Sequence, residues 1–237
     1  MVVMKKLISA ALISLFVGFA VSANAGPFED GVAAYERKDY VTAAKLMRVA
    51  ADQGNSVAQY ELGVMYDEGR GVTQDYKEAV RWWRLAADQG DASAQSNLGK
   101  MYDKGQGVTQ DYKEAVKWYR LSADQGNASA QFNLGVSYAE GQGVTQDYKE
   151  AVKWYRLSAD QGDADAQINL GLMYVNGQGV IQDYVRAHMW WNISASSGDK
   201  NAESNRDKAA KKMSQTQIEK AQEMARRCQS SNYKNCD

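Results

Sequence analysis

Little in this chain is equipped for acid–base or nucleophilic chemistry. His188 is its one histidine, and no nucleophile–base pair can be assembled around it. It stands where equivalent segments carry Val80, Val116 and Val152, so a partly buried packing residue is expected. The strings Ser197–Lys200 and Ser231–Lys234 have the Ser-x-x-Lys spacing of an acyl-transfer nucleophile. One spans a turn and the other the tail, and no Lys-Thr-Gly companion exists, so both are read as chance. Cys228 and Cys236 are the only cysteines. With no second pair or histidine beside them, a disulfide formed in an oxidising compartment is a better expectation than a redox or metal role. Closing so short a loop contributes roughly 2–3 kcal/mol in the chain-entropy model. The Gly-x-Gly segments follow helical patterns and not strands, which argues against phosphate binding. No cluster has metal-ligand spacing. The expectation is a non-enzymatic protein without metal or cofactor.

More informative are residues that recur. Gly105 to Gly126 reappears residue for residue as Gly141 to Gly162, a period of 36, and degenerate copies flank the pair. Four units follow: residues 58–93, 94–129, 130–165 and 166–199. A period in this range marks a solenoid, in which each unit buries its apolar face against its neighbours. That favours an extended binding surface over a catalytic pocket.

Within the first unit, Ala58, Leu62, Met65 and Tyr66 fall at helical spacing, so Ala58 to Glu68 reads as a helix ended by Gly69. Gly71 and Val72 continue a connector. Asp75, with Glu78 three residues on, opens a second helix, and Asp111/Glu114 and Asp147/Glu150 repeat the signal. Glycine inside a helix costs about 1 kcal/mol relative to alanine. Gly63, Gly99, Gly135 and Gly171 therefore imply close approach of the paired helix, with Ala79, Ala115, Ala151 and Ala187 as the expected facing positions. Trp82, Trp118, Trp154 and Trp190 recur once per unit. They are expected to stack as core along the array, the competing use being a carbohydrate platform.

The pattern A-x-x-x-L-G-x-x-Y, G-x-G-V, D-x-x-x-A-x-x-W-x-x-x-A, G resembles the Sel1-like repeat of the tetratricopeptide superfamily. The match runs from residue 58 to about 198. The resemblance implies an all-α solenoid, a right-handed superhelix of helix-turn-helix units. Residues 26–57 are expected to form an N-terminal capping hairpin, residues 200–229 capping helices begun in part by a Ser214/Gln217 capping box, and residues 230–237 a tail. It also implies an adaptor whose first helices line a concave groove for a protein or peptide. The groove positions that vary most between copies include Tyr60, Val64, Lys100, Val136 and Leu172. Relaxed constraint on a solvated face would give the same variation. Asn97, Asn133 and Asn169 share one position, where the first unit carries Glu61. They resemble the asparagine ladder of some tetratricopeptide grooves, in which amides bond a peptide backbone. An interhelical hydrogen bond is the other reading. Some cysteine-rich members of the family have been linked to β-lactam binding or hydrolysis, but their regular disulfides are absent here.

Lys5 and Lys6, the apolar run Leu7 to Val21 and Ala23-Asn24-Ala25 have the form of a Sec-type signal peptide, residues 1–25, cleaved after Ala25. No cysteine follows the site, so lipid anchoring is not expected, and neither is membrane insertion after cleavage. Loss of the two lysines takes the net charge from −1 to −3, which gives no electrostatic footprint for nucleic acid. The expected location is the periplasm of a Gram-negative bacterium, with secretion as the lesser option. An envelope adaptor is the favoured function. A peptidoglycan or glycan binder is the alternative, and a β-lactam-hydrolysing enzyme a remote one.

Overall fold

The computed structural model describes residues 26–234 and 236, and the expected leader lies outside the described residues. Among them there are twelve α-helices and no strand. A first hairpin is made by α1 (Pro27–Glu36) and α2 (Tyr40–Asp52). Four longer-linked hairpins follow: α3 (Ser56–Glu68) with α4 (Tyr76–Asp88), α5 (Ala92–Lys104) with α6 (Tyr112–Asp124), α7 (Ala128–Glu140) with α8 (Tyr148–Ala159), and α9 (Ala164–Asn176) with α10 (Tyr184–Ala195). Each second helix also packs on the first helix of the next unit. The last two helices, α11 (Lys200–Ala210) and α12 (Gln215–Ser230), both pack on α10 and close the stack. The fold is an all-α solenoid.

Local chemistry sets these helices. The Asp75 carboxylate accepts from the amides of Lys77 and Glu78 at 2.9 and 3.2 Å. Asp111, Asp147 and Asp183 do the same for the later second helices. The first helices begin two residues before the periodic apolar positions, because Asn55, Asp91, Asn127 and Asp163 act as their N-caps. Gly69, Gly105, Gly141 and Gly177 end them in the left-handed conformation. Gly71 is needed for a second reason. At φ +75, a Cβ there would lie 2.0 Å from the Tyr40 carbonyl oxygen, so the connector can lie against α2 only without a side chain. Ser214 and Gln217 form a full capping box at α12.

The helical glycines do admit a close approach, but not by the facing alanines. A Cβ on Gly63 or Gly171 would meet the indole of Trp83 or Trp191 at 2.5 Å, and one on Gly99 or Gly135 would meet the ring of Tyr119 or Tyr155 at 2.6 Å. The aromatic one turn beyond each alanine fills the space. Ala79, Ala115, Ala151 and Ala187 are buried beside it. The tryptophan series is also core, though not as a continuous stack. Trp82 joins the cluster of α1–α3, Trp118 that of α4 and α5, and Trp154 that of α6 and α7. Each indole therefore reaches back into the preceding joint and ties two units together, and is too buried to serve as a carbohydrate platform.

Two polar ladders run through the same joints. Gln95 is buried and donates to the Ala87 carbonyl at 3.1 Å while accepting from Gln125 at 2.8 Å. Gln59 and Gln131 make the same pair of bonds in their units. The guanidinium groups of Arg48, Arg84, Arg120 and Arg156 donate to the hydroxyls of Tyr66, Tyr102, Tyr138 and Tyr174, each on the next first helix. At the end of the chain Cys228 and Cys236 form a disulfide with Cα atoms 4.5 Å apart.

Candidate functional site

The first helices α1, α3 and α5 lie along one side of the stack and frame a cleft of about 510 Å³. Its size falls within the range of roughly 300–1,000 Å³ common for ligand sites. α3 supplies Tyr60, Glu61, Val64 and Asp67, α5 supplies Asn97, Lys100 and Lys104, and Trp83 of α4 lines part of the wall. The first hairpin adds Tyr35 and Tyr40. Arg70, in the connector after α3, reaches back to donate to the Tyr35 hydroxyl, and it lies 5.5 Å from the centres of both tyrosine rings. The same guanidinium pairs with Glu68 at 2.6 Å. This clasp forms part of the wall of the cleft.

The cleft is mixed in charge and partly desolvated. Glu61 is only 7% exposed and has no ion-pair or hydrogen-bond partner among the described residues. Burial pushes its pKa up to about 7, against the opposing charge of the chain's amino terminus and with smaller help from the carboxylates of Asp91 and Glu68. Burial pushes the Tyr60 hydroxyl up to about 12, against the opposing influence of the Asn97 amide. Burial also lowers the pKa of Lys100 and raises that of Asp67. A desolvated surface with both signs of charge and several aromatic faces suits recognition of a polypeptide more than a single small anion or cation.

Of the groove positions expected from sequence, Tyr60, Glu61, Val64, Asn97 and Lys100 converge on this cleft. Leu172 lines a separate hollow of about 180 Å³ with Val175, Tyr184 and Trp191, against Lys208 of α11 and Lys212 just beyond it. Asn133, Val136 and Asn169 line neither cavity. Val136 and Phe132 pack on the C-terminal core, and the Phe132 and Tyr155 rings lie 5.9 Å apart. The Asn169 amide acts on the Tyr155 hydroxyl. Asn97 and Asn169 thus have different surroundings despite one repeat position. Tyr35 and Tyr40 escaped the sequence reading because the first hairpin has a shorter connector and breaks the 36-residue register, and Arg70 because the later units carry Gln106, Gln142 and Gln178 at its position. Trp83 shares its repeat position with Tyr119, Tyr155 and Trp191, and that recurring aromatic was the signal for it.

Residues with catalytic potential lie elsewhere. His188 is 2% exposed on α10, and burial lowers its pKa. The Ser231 hydroxyl donates to the Cys228 carbonyl at 2.8 Å. Among the described residues no group of three or more His, Cys, Asp or Glu is placed to hold a metal, and no helix is long and apolar enough to cross a membrane.

Comparison with known proteins agrees with this architecture. The Sel1 repeat model matches residues 26–55, 56–91, 92–127, 128–163 and 164–199, so the first hairpin counts as a repeat and the unit boundaries fall at the observed N-caps. No curated protein matches the chain. Among solved structures, c5321, described as a protective antigen of uropathogenic Escherichia coli with an SLR fold, is 34% identical with a TM-score of 0.79. That similarity covers 87% of this chain and 46% of the E. coli protein, so the chain spans about half of its length. A Sel1 repeat protein from Oxalobacter formigenes is 40% identical with a TM-score of 0.71, over 76% of this chain and 71% of that one. A protein from Klebsiella pneumoniae, 21% identical with a TM-score of 0.50 over 78% of this chain and 91% of that one, shares the fold. Proteins built from these repeats generally mediate protein–protein interaction and are typically non-enzymatic scaffolds. With five consecutive matches over residues 26–199, the chain belongs to the Sel1 repeat family.

Proposed function

We propose that this protein is an interaction adaptor of the bacterial envelope, acting in the periplasm and holding a segment of a partner protein in the cleft between α1, α3 and α5. The observation that carries the reading is that cleft, where side chains from three successive first helices meet in one partly desolvated space. An extended segment crossing adjacent units would contact each of these helices in turn. The leader-like residues 1–25 support an exported location. A peptidoglycan-binding role is less well supported, because the recurring tryptophans are consumed by the joints between units.

The test is affinity capture from periplasmic extract with the wild-type protein and with Val64→Asp, which puts a charge into the cleft on a helix that stays otherwise intact. Recovery of a defined protein by the wild type alone is expected. Equal recovery by both would move the interaction to another face. Sedimentation of the protein with purified cell-wall sacculi, unaffected by Val64→Asp, would favour the glycan reading instead.

A further inference from the structure

Glu61 is the anomaly of the cleft. Its repeat position holds a neutral amide, Asn97, Asn133 or Asn169, in the next three units. A carboxylate accepts hydrogen bonds and donates none, and one removed from water without a partner is costly to keep ionised. Arg70, Lys38, Lys100 and Lys104 line the same cleft, and none of them pairs with Glu61. Arg70 pairs with Glu68 and holds Tyr35. Lys100 lies in the field of the Asp163 and Asp67 carboxylates, and Lys104 in that of Asp67 and Asp103, without a direct ion pair. Glu61 lines the cavity with no ion-pair counterpart among the described residues, and Tyr60 and Trp83 line the same cavity. Aromatic faces accept the stem of a long basic side chain and favour its charge.

We propose that Glu61 anchors a subsite for a basic side chain, arginine or lysine, carried by the partner segment that lies in this cleft. The inference rests on the reading of the cleft as the partner site and adds its chemical preference. The carboxylate supplies what a backbone-reading amide lacks, a demand for charge at one position of the bound chain. The N-terminal end of the groove therefore sets register, while the neutral positions in later units make no such demand.

The experiment is selection from a displayed random peptide library on the purified wild-type protein and on Glu61→Asn, at about pH 8, where both the carboxylate and basic side chains are charged. Asparagine is the residue other units carry at this position, and unchanged helicity of the variant is checked by circular dichroism. The expected result is enrichment of arginine or lysine at one fixed position on the wild type, lost on Glu61→Asn. Replacing that residue by neutral citrulline in the selected peptide should weaken binding at least tenfold. Peptides selected without a basic preference, or with the same preference on both proteins, would overturn the subsite and leave the cleft reading standing. Failure of either protein to select any peptide would count against both.

Discussion

At the scale of the residue, Glu61 and Gly99 make opposite kinds of prediction. A carboxylate whose pKa rises on folding binds more protons in the folded than in the unfolded chain between its two values. Stability is therefore lost as pH rises through that window, here from the ordinary 4.5 to about 7. At about pH 8 the ionised Glu61 should cost the fold roughly 3 kcal/mol relative to pH 4. Glu61→Asn should thus be more stable than wild type at pH 8, and the gap should close on acidification; urea titrations at both pH values measure it. A gap that does not change with pH would show that Glu61 is solvated. Gly99→Ala works through sterics. The added methyl would meet the Tyr119 ring at 2.6 Å. Crowding of that kind costs about 1–3 kcal/mol, offset by about 1 kcal/mol of helix propensity. A net loss of up to about 2 kcal/mol is expected by chemical denaturation. The glycines were readable in the sequence as a tight approach, whereas the ring that causes it was not. Helical periodicity gives the face a residue occupies, but not which of two neighbours on that face projects furthest.

At the scale of the element, the joints between units are held by polar ladders as well as by apolar packing. Gln131→Ala removes the bond to the Ala123 carbonyl and the partner of Gln161. A loss of about 1–2 kcal/mol is expected, read as a lower denaturation midpoint. Gln131→Glu should not rescue it, since a carboxylate cannot donate to the carbonyl. The C-terminal helices offer a separable test. Reducing the Cys228–Cys236 disulfide should loosen α12 by roughly 2–3 kcal/mol, and hydrogen exchange should show that loss in α12 before α3 to α8. The existence and order of the repeat helices were legible because each carries its own capping Asp or Asn and a glycine at its end. The start of each first helix was misjudged by two residues, because the apolar period marks the buried face and not the capping Asn55 or Asp91. The Gln and Arg–Tyr ladders recur with the same period of 36 as the core. Polar residues at fixed spacing look like surface until the pairing helix is in place.

At the scale of the whole molecule, a solenoid offers one long surface, and its ends differ from its middle. The cleft forms where the first hairpin, with its short connector, meets the regular units, so part of its wall comes from residues outside the strict repeat. Copy-to-copy variation located Tyr60, Val64 and Lys100, but could not show that Val136 is taken up by the C-terminal core or that Leu172 borders a different hollow. Variation marks freedom from the hairpin's own constraints, and such freedom can be used by a partner or by the protein's own cap. The central claim is that a partner protein occupies the cleft between α1, α3 and α5. Its most direct test is a photo-crosslinking amino acid placed in living cells at Val64, in the cleft, and separately at Leu121, exposed on a second helix. A discrete protein adduct from Val64 and none from Leu121 is predicted. Adducts from Leu121 alone would contradict the account.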